Sequence, residues 1–311
     1  MTQVLAIGNY NAKDRAALVD AFDAQVVTLE EVARLDVDLR DGFRAVAYAG
    51  HHALDGAVMD LLPNIGVIAN YGVGYDAINV GDATARGIRV TNTPDVLNDD
   101  VADLAIAMWL MQGREMRAAE DRVRSGAWAA EGPAPLNRKL SGGVAGIMGL
   151  GRIGREIADR LAAFKMDIHY HARSEKETPG WTYHADPVDL ARAVDFLFVA
   201  LVGGPDTVNY VSREVIAALG PEGVIVNISR GSVIDEGALL DALERREIAG
   251  AGLDVFVGEP DVDPRFLRLE NVVLQPHQGS ATVQTRAAMA QLQRDNVAAH
   301  LKGADLLTPV N

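Results

Sequence analysis

The 311-residue chain is 49% hydrophobic and 23% charged, and its formal net charge at pH 7 is −14. Its length suits two domains, each able to bury a core. The negative charge argues against nucleic acid and anionic membranes as partners, because both would repel the chain. The absence of cysteine excludes disulfides, thiolate metal sites and a cysteine nucleophile. Since neither a long apolar run nor a signal peptide is recognisable, we expect a cytoplasmic protein.

Short β-rich segments alternate with helical ones over the first 95 residues. The predicted strands cover residues 4–7, 26–29, 45–48, 65–69 and 88–91. The predicted helices cover residues 14–22, 54–62 and 80–85. Such alternation is typical of a parallel sheet wound with helices.

A long helix follows Pro94, which marks a break in the pattern. Its apolar side chains recur at helical spacing over residues 101–111. Asp99, Asp100 and Asp103 lie near its start, where the helix dipole favours negative charge. This placement accounts for the three carboxylates without a metal ion, so we predict no metal site.

A glycine motif joins a strand to a helix at the start of the second sheet. Residues 144–148 are apolar, and GLGRIG (residues 149–154) opens an amphipathic segment. Gly149 allows a tight turn, Gly151 lets a pyrophosphate approach the backbone, and Gly154 lets the helix pack against its strand. The helix N-terminus then offers N–H groups to phosphates. The motif predicts a dinucleotide site, with a purely structural turn as the alternative.

The remaining chain continues the alternation of strands and helices. Further strands are predicted at residues 166–171, 196–201, 224–228, 250–255 and 272–274. Further helices are predicted at residues 186–193, 213–219, 236–245 and 283–300. Because the second sheet begins near residue 140, this pattern places the domain boundary in the loop at 132–135. We expect the last helix to return to the first domain, which would make that domain discontinuous.

The segment after the glycine motif bears on the choice of nicotinamide cofactor. NAD-binding units usually place an acid at the end of the second strand to bind the ribose 2′-hydroxyl. Here Ala172 occupies that place and Arg173 follows it. Arg173, Ser174 and Lys176 could hold a 2′-phosphate through charge-assisted hydrogen bonds, so we predict NADP(H) in preference to NAD(H). The glutamates on either side of Lys176 leave open a solvated role for Arg173.

Three predicted strands of the second sheet end in side chains suited to carbonyl reduction, at the edge where open α/β sheets bind ligands. Arg230 can clamp a carboxylate and so fix an α-keto acid. His277 can donate a proton to a carbonyl oxygen near neutral pH. Glu259 could hydrogen-bond the other imidazole nitrogen and favour the protonated ring. Each also fits a structural role, as a helix-capping arginine, a strand-end histidine or a surface glutamate.

Six motifs are distributed over the chain: NYGVGYDAIN, NTPDVLNDDVADLA, GLGRIG, NISRGSVIDE, GLDVFVGEP and LQPHQGSAT. Together they resemble the D-isomer-specific 2-hydroxyacid dehydrogenases. The HARS and VLNDDVADLA segments most resemble the glyoxylate/hydroxypyruvate reductases and the hydroxyphenylpyruvate reductases. The resemblance implies two doubly wound α/β domains with parallel sheets, a Rossmann coenzyme domain being inserted in a flavodoxin-like substrate domain. The substrate domain would comprise residues 1–97 and 282–311, and the NADP-binding domain residues 98–281.

The resemblance implies a role for each matching residue. Arg230 would bind the substrate, His277 would be the acid/base and Glu259 its partner. The backbone amides of Val73 and Gly74 would bind the substrate carboxylate. From the motif and the resemblance, the residues expected around the cofactor are Gly149, Leu150, Gly151, Arg152, Ile153, Arg173, Ser174, Lys176, Leu201, Thr207, Ile228, Ser229, Arg230, Asp254, His277 and Gly279.

Three features qualify this resemblance. Many relatives carry a proline-bearing turn where residues 201–207 read LVGGPDT, which leaves the contacts at Val202 and Gly203 open. His51 and His52 are not a general family feature; His52 would face the substrate side chain, or both would lie exposed in their loop. The long helix and the arm after it would form a homodimer, in which Trp128 could reach a neighbouring active site.

The implied activity is NADPH-dependent reduction of small 2-keto acids, glyoxylate and hydroxypyruvate above all, to D-2-hydroxy acids. Two alternatives stay open. One is a reductase of aromatic keto acids such as hydroxyphenylpyruvate and phenylpyruvate, and the other is a nucleotide-sensing, corepressor-like binding protein. The expected partners are a small 2-keto or 2-hydroxy acid and a second copy of the chain, and neither nucleic acid nor a membrane.

Overall fold

The computed structural model describes residues 2–311. It divides into two compact units, which we call the first and the second unit. The first unit comprises the residues up to Leu97 together with Thr282–Asn311, and the second comprises Asn98–Ala281. Within residues 2–311, no helix is long and apolar enough to cross a membrane.

The first unit contains a sheet of five parallel strands. They are β1 (Val4–Gly8), β2 (Gln25–Val27), β3 (Ala45–Ala49), β4 (Val67–Asn70) and β5 (Arg89–Thr91). The intervening helices are α1 (Ala12–Phe22), α2 (Val37–Gly42), α3 (Gly56–Asp60) and α4 (Val80–Ala85). The strand order β2-β1-β3-β4-β5 is that of flavodoxin-like folds. Alternate residues of β1 enter different cores, Leu5 and Ile7 on one face and Val4 and Ala6 on the other, so the strand is apolar throughout.

The second unit contains a sheet of seven parallel strands. Its strands are β6 (Val144–Met148), β7 (Asp167–His171), β8 (Thr182–His184), β9 (Phe196–Val199), β10 (Val224–Asn227), β11 (Gly250–Leu253) and β12 (Val272–Leu274). Its helices are α5 (Asn98–Gly113), α6 (Met116–Arg124), α7 (Ala127–Glu131), α8 (Arg152–Ala163), α9 (Pro187–Ala193), α10 (Arg213–Leu219) and α11 (Glu236–Glu244). The strand order is β12-β11-β10-β9-β6-β7-β8. Successive strands are added on one side from β6 to β8 and on the other side from β9 to β12, so the switch point of a Rossmann fold lies between β6 and β9. Two doubly wound parallel sheets were predicted, and this fold class is confirmed.

The helix α5 packs on the second sheet. Trp109 is fully buried, and its ring makes edge contacts with Phe164, Phe196 and Phe198 at centroid distances of 5.3, 5.4 and 6.2 Å. A Cβ added at Gly252 of β11 would lie 2.9 Å from Met108 Cβ, so helix and strand are in close contact. The domain boundary expected at 132–135 from the strand pattern is therefore wrong, because these apolar contacts assign α5 to the unit that follows it.

Arg160 on α8 binds the aspartates at the start of α5. Its guanidinium lies 2.7 Å from Asp99 Oδ1 and 2.6 Å from Asp103 Oδ1, and it also pairs with Glu156 at 2.7 Å. Over residues 2–311, no group of three or more His, Cys, Asp or Glu side chains is placed to hold a metal ion. The acidic cluster thus joins two helices of the second unit.

The C-terminal helix α12 (Val283–Leu301) belongs to the first unit. Its buried Gln293 donates from Nε2 to Tyr48 O at 3.1 Å and to Ala69 O at 2.8 Å. These carbonyls lie in β3 and β4, so one amide joins the helix to two neighbouring strands. Val297 also enters the apolar core on that face.

Among the α-helices and strands of residues 2–311, four were not predicted: α2, α6, α7 and β8. The strand β8 is three residues long and lies at the edge of its sheet, with the sequence TYH. It has no apolar run, because a short edge strand needs no fully buried face.

Removing the Trp109 indole should destabilise the second unit. Trp109→Ala deletes a fully buried ring that three other rings contact, so we expect about 3–5 kcal/mol less free energy of unfolding for this unit. Leu267→Ala, at a side chain that is 69% exposed, should change it by no more than about 0.5 kcal/mol. Urea denaturation followed by circular dichroism measures both. Equal losses for the two variants would contradict the packing described.

Candidate active site

Two glycines of the turn after β6 are required by the fold itself. Gly149 has φ +103°, and a Cβ there would lie 2.7 Å from Ala200 O. A Cβ at Gly154 would lie 2.0 Å from Gly149 O. The N–H of Gly149 donates to His171 O at 3.0 Å, which joins the turn to the end of β7. A side chain at either position would displace the backbone of the turn.

Gly151 differs from both of them. Its φ is −85°, which any residue can adopt, and a Cβ there would meet no heavy atom within 4 Å. Gly151 is also the N-cap of α8, and as a glycine it has no side chain that could cap the helix's first N–H groups. Those N–H groups therefore need partners from outside the helix. This open helix N-terminus fits a phosphate-bearing ligand.

The segment after β7 presents Arg173, Ser174 and Lys176 as exposed side chains on a fixed backbone. The Tyr170 hydroxyl accepts a hydrogen bond from Lys176 N at 2.8 Å and donates to Lys176 O at 3.0 Å. The Tyr183 hydroxyl donates to Ala172 O at 3.3 Å. These two hydroxyls hold both ends of the segment, so its three polar side chains project from a defined loop.

At the end of β10, Asn227 shapes the turn that carries Ser229 and Arg230. Its Oδ1 accepts from Ser229 N and its Nδ2 donates to Arg230 O, both at 3.0 Å. Arg230 donates from Nη1 to Ser229 O at 2.7 Å. Ser229 is 5% exposed, and its hydroxyl has no hydrogen-bond partner within residues 2–311. Because buried hydroxyls are normally hydrogen-bonded, this oxygen fits contact with a ligand.

The Asp254 carboxylate holds the loop after β12. Its Oδ1 accepts from Gln278 N at 2.7 Å and its Oδ2 from Gly279 N at 2.8 Å, while its backbone oxygen accepts from His277 N at 2.8 Å. Burial raises the pKa of Asp254, and the two backbone hydrogen bonds oppose that rise. His277 lies in this loop with φ +50°, a left-handed conformation that a non-glycine residue adopts only where its surroundings fix it.

His277 and Glu259 form a hydrogen-bonded pair. His277 Nδ1 lies 2.6 Å from Glu259 Oε2, and Glu259 Oε1 accepts from Phe256 N at 2.8 Å. A Cβ at Gly231 would lie 2.0 Å from Phe256 C, so the Arg230 turn packs directly on the loop that carries Glu259. With Nδ1 oriented by the carboxylate, proton exchange with a substrate would use the other ring nitrogen, Nε2.

Other residues expected around the cofactor lie near these turns. Leu150 and Ile228 are buried, while Arg152 is exposed at the first position of α8. The Thr207 hydroxyl lies 2.7 Å from Val202 O and 3.1 Å from Gly204 O, so it closes its own loop. Ile153 and Leu201 are partly exposed, and a Cβ at Gly279 would lie 3.1 Å from Asp254 Oδ2.

In the first unit, two asparagines orient the loop after β4. Asn70 donates from Nδ2 to Gly72 O at 3.0 Å and to Gly74 O at 2.8 Å, and Asn92 donates to Val73 O at 2.8 Å. In a trans peptide the N–H points opposite to the preceding carbonyl. The N–H groups of Val73 and Gly74 therefore point away from the asparagine that holds the preceding oxygen. Such consecutive N–H groups can bind a carboxylate.

The two histidines after β3 lie exposed in the neighbouring loop. The buried Tyr48 hydroxyl donates to His52 O, which fixes the backbone at His52. Burial raises the pKa of Tyr48 to about 12, and the charge of Asp76 adds to the rise. Tyr48 therefore remains a hydrogen-bond donor at neutral pH.

The structure thus groups the predicted side chains within each unit. Arg230, Glu259, His277 and the expected cofactor residues lie on loops and on the first turn of α8, at the carboxyl edge of the second sheet, whereas His52, Val73 and Gly74 follow β3 and β4 of the first sheet. The supporting residues Asn70, Asn92 and Asn227 were not predicted from the sequence, nor was Glu236, which accepts a hydrogen bond from Val257 N at 2.8 Å. Their types are common in turns and helix starts, and only the folded backbone shows which groups they bind.

Comparison with known proteins shows which family the chain is similar to. A family model described as the NAD binding domain of D-isomer specific 2-hydroxyacid dehydrogenases matches residues 106–279. The chain is 46% identical to a hydroxyphenylpyruvate reductase of Plectranthus scutellarioides, covering 87% of this chain and 86% of that protein. It is 44% identical to a 2-ketogluconate reductase of Gluconobacter oxydans, covering 88% of each.

Two solved structures match this chain over 99% or more of its length. An NADPH-dependent glyoxylate/hydroxypyruvate reductase from Sinorhizobium meliloti, in complex with NADP and malonate, superposes with a TM-score of 0.93. It is 43% identical and the match covers 99% of this chain and 96% of that one. The 2-hydroxyacid dehydrogenase from Ketogulonicigenium vulgare has a TM-score of 0.91 at 50% identity, covering 100% and 99% of the two chains. The family resemblance noted in the motifs is confirmed.

Two alanine variants separate binding from folding at the glycine turn. Gly151→Ala should lose no more than about 1 kcal/mol of stability, since only the N-cap preference changes. It should bind NADPH or NADH at least tenfold more weakly, because its Cβ would project into the space open to a phosphate. Gly154→Ala should lose stability and binding together, because its Cβ would lie 2.0 Å from Gly149 O. Thermal melts and fluorescence titration with NADPH and NADH measure both. Unchanged affinity for NADPH and NADH in Gly151→Ala would contradict the site.

Proposed function

This chain belongs to the D-isomer specific 2-hydroxyacid dehydrogenase family, and from that premise we propose that it reduces glyoxylate and hydroxypyruvate with NADPH. As a member of this family it is a nicotinamide-dependent oxidoreductase of 2-keto or 2-hydroxy acids. The observation that carries the proposal is the 2.6 Å pair of His277 and Glu259 in the same unit as the Gly151 turn. The products would be D-2-hydroxy acids.

The proposed reaction assigns a separate task to each side chain. Bound NADPH would supply the hydride for the keto carbon. His277 would donate its Nε2 proton to the keto oxygen and regain a proton from solvent afterwards. Glu259 would stabilise the protonated ring through Nδ1. Arg230 would hold the carboxylate and stabilise negative charge that develops on the oxygen.

The loop after β4 offers N–H groups that suit a carboxylate. The N–H groups of Val73 and Gly74 have fixed directions because Asn70 and Asn92 hold the carbonyls around them. Their donor character suits the carboxylate common to all 2-keto acids. This contact would favour substrates that carry a carboxylate. Other residues, among them His52, would determine which substrate side chain is accepted.

The preference for NADPH is supported by the loop after β7. Arg173, Ser174 and Lys176 are exposed there, and Ala172 stands where an NAD-binding unit usually has its acid. The S. meliloti reductase that superposes on this chain was solved with NADP. An arginine fork with an adjacent hydroxyl would bind a 2′-phosphate through charge-assisted hydrogen bonds.

Two relatives indicate other side chains on the keto acid. The matched proteins include the hydroxyphenylpyruvate reductase and the 2-ketogluconate reductase named above. Both names denote acids with a keto group, and the same catalytic side chains would serve either. An aromatic keto acid is therefore the second candidate substrate, and 2-ketogluconate belongs in the same test.

Initial rates of NADPH and NADH oxidation test the proposed function. The substrates are glyoxylate, hydroxypyruvate, phenylpyruvate, hydroxyphenylpyruvate and 2-ketogluconate, each at several concentrations. We expect the highest kcat/KM with the two small acids and NADPH. A preference for the aromatic acids would assign the chain to the second candidate. Absence of turnover with every substrate, despite tight NADPH binding, would contradict the proposal and favour a nucleotide-sensing role.

The arm after α5 supports a homodimer. Four apolar side chains of this segment are exposed, from 50% at Met116 and 59% at Val123 to 60% at Trp128 and 100% at Leu136. Exposed apolar side chains grouped in one segment are typical of an interface. The homodimer and the cytoplasmic location stay predictions.

Reversing the charge at Arg173 should weaken NADPH binding. Arg173→Asp would place a carboxylate beside the 2′-phosphate, so we expect the KM for NADPH to rise at least tenfold and the KM for NADH to stay within about threefold. Arg245→Asp, at an exposed arginine after α11, is the control and should leave both values unchanged. An unchanged KM for NADPH in Arg173→Asp would show that another group selects the cofactor.

Replacing His277 should stop the reduction and spare cofactor binding. His277→Asn removes the proton donor, so we expect kcat to fall at least 100-fold, the usual contribution of general acid catalysis. The dissociation constant for NADPH should stay within about threefold, since the phosphate contacts lie on other loops. Steady-state kinetics and fluorescence titration measure the two values. A variant that keeps more than a tenth of the wild-type turnover would exclude His277 as the donor.

A further inference from the structure

The carboxylate of Glu236 binds a loop that lies 21 residues further along the chain. Glu236 is the first residue of α11, and its Oε2 accepts a hydrogen bond from Val257 N at 2.8 Å. The helix does not need this side chain as a cap, because Asp235 Oδ1 accepts from Ala238 N at 3.0 Å. Glu236 therefore contacts the loop that carries Glu259, and its carboxylate serves that loop.

Only Gly258 separates the anchored Val257 from Glu259. Gly258 has φ +79°, and its carbonyl accepts from Asp261 N at 3.0 Å. Glu259 Oε1 accepts from Phe256 N, which closes the turn from inside. The turn is therefore held internally by Glu259 and externally by Glu236.

The position of Glu236 has an electrostatic cost. Burial raises the pKa of Glu236, the hydrogen bond from Val257 opposes the rise, and the charges of Asp263 and Glu259 add to it. The hydrogen bond from Val257 N offsets part of the repulsion from these two carboxylates. The charge of Glu236 also suits the positive end of the helix dipole, but only the hydrogen bond connects the helix to the Glu259 loop.

We propose that Glu236 is a positioning residue of the active site: its hydrogen bond to Val257 N holds the turn that places Glu259 against His277. The inference rests on the proposed function for its kinetic consequence. The structural consequence, the orientation of the His277 ring, is independent of which keto acid is the substrate.

Three substitutions at Glu236 distinguish the contribution of its hydrogen-bond acceptor from that of its negative charge. Glu236→Gln keeps an oxygen acceptor at the same reach and removes the charge. Glu236→Asp keeps the charge and shortens the reach by one methylene, and Glu236→Ala removes both. Asp235→Ala is the matched control, because it removes the cap of the same helix and leaves the Val257 contact in place.

The kinetic test compares kcat with KM in these variants, using hydroxypyruvate and NADPH. We expect Glu236→Gln to keep kcat within about twofold of wild type. Glu236→Asp and Glu236→Ala should lose about tenfold in kcat, since small displacements of catalytic groups reduce rates strongly. The KM for hydroxypyruvate and the NADPH dissociation constant should change less than threefold in all three. Asp235→Ala should lower the melting temperature and keep kcat.

Two kinetic patterns would overturn the proposal. Wild-type kcat in Glu236→Ala and Glu236→Asp would show that the contact does not affect the site. A loss of kcat in Glu236→Gln equal to that in Glu236→Ala, with Glu236→Asp unchanged, would show that the charge matters and the hydrogen bond does not. If Glu236→Ala does not fold, Glu236→Gln and Glu236→Asp still distinguish these outcomes.

An NMR measurement tests the inference without turnover. The 2.6 Å contact with Glu259 should give the His277 Nδ1 proton a far-downfield resonance, identified by its loss in His277→Asn. We expect the resonance to persist in Glu236→Gln and to shift upfield or broaden in Glu236→Asp and Glu236→Ala. An unchanged resonance in both would overturn the positioning role. If wild type reduced no keto acid while these shifts occurred, the proposed function would fail and the role of Glu236 would stand.

Discussion

The candidate active site depends on the hydrogen bonds that Asp254 accepts from the loop after β12. Both carboxylate oxygens accept backbone N–H groups, and the Asp254 carbonyl accepts the N–H of His277. A carboxylate that is only 2% exposed is costly to bury, and these bonds offset the cost. The loop thereby holds His277 in a left-handed conformation that would otherwise be unfavourable.

Short polar side chains that bind nearby backbone recur throughout both units. Asn227 shapes the turn that carries Arg230, and Asn70 and Asn92 orient the loop of Val73 and Gly74. In each case the side chain follows or ends a buried parallel strand, where the backbone has no further strand partners. Because these side chains fix the loops on a rigid sheet, donors and acceptors are in place before a substrate binds. This lowers the free-energy cost of binding and of reaction.

Whether the sequence predicts a feature of the fold depends on how far apart along the chain the contacting residues are. Apolar runs such as residues 4–7 and 144–148 predict buried strands because the signal lies within each run. The GLGRIG motif predicts its own turn for the same reason. The assignment of α5 to the second unit, by contrast, depends on Trp109 meeting rings of residues 164, 196 and 198, and no local pattern contains that information.

The proposed catalytic residues and the residues that support them differ in the same way. Arg230, Glu259 and His277 are proposed from the sequence because their chemistry is specific and their motifs are distinctive. Glu236 is not, since a glutamate at a helix start is expected from the helix dipole alone. Its hydrogen bond to Val257 depends on how α11 and the loop after β11 come together in the folded unit.

Transfer of deuterium from NADPH to hydroxypyruvate tests the central claim most directly. The cofactor is labelled at either of the two C4 positions, and the glycerate formed is analysed by mass spectrometry and chiral chromatography. We expect D-glycerate with deuterium at C2 from one of the two labelled cofactors and D-glycerate without deuterium from the other. L-glycerate, or glycerate without deuterium from either cofactor, would contradict it.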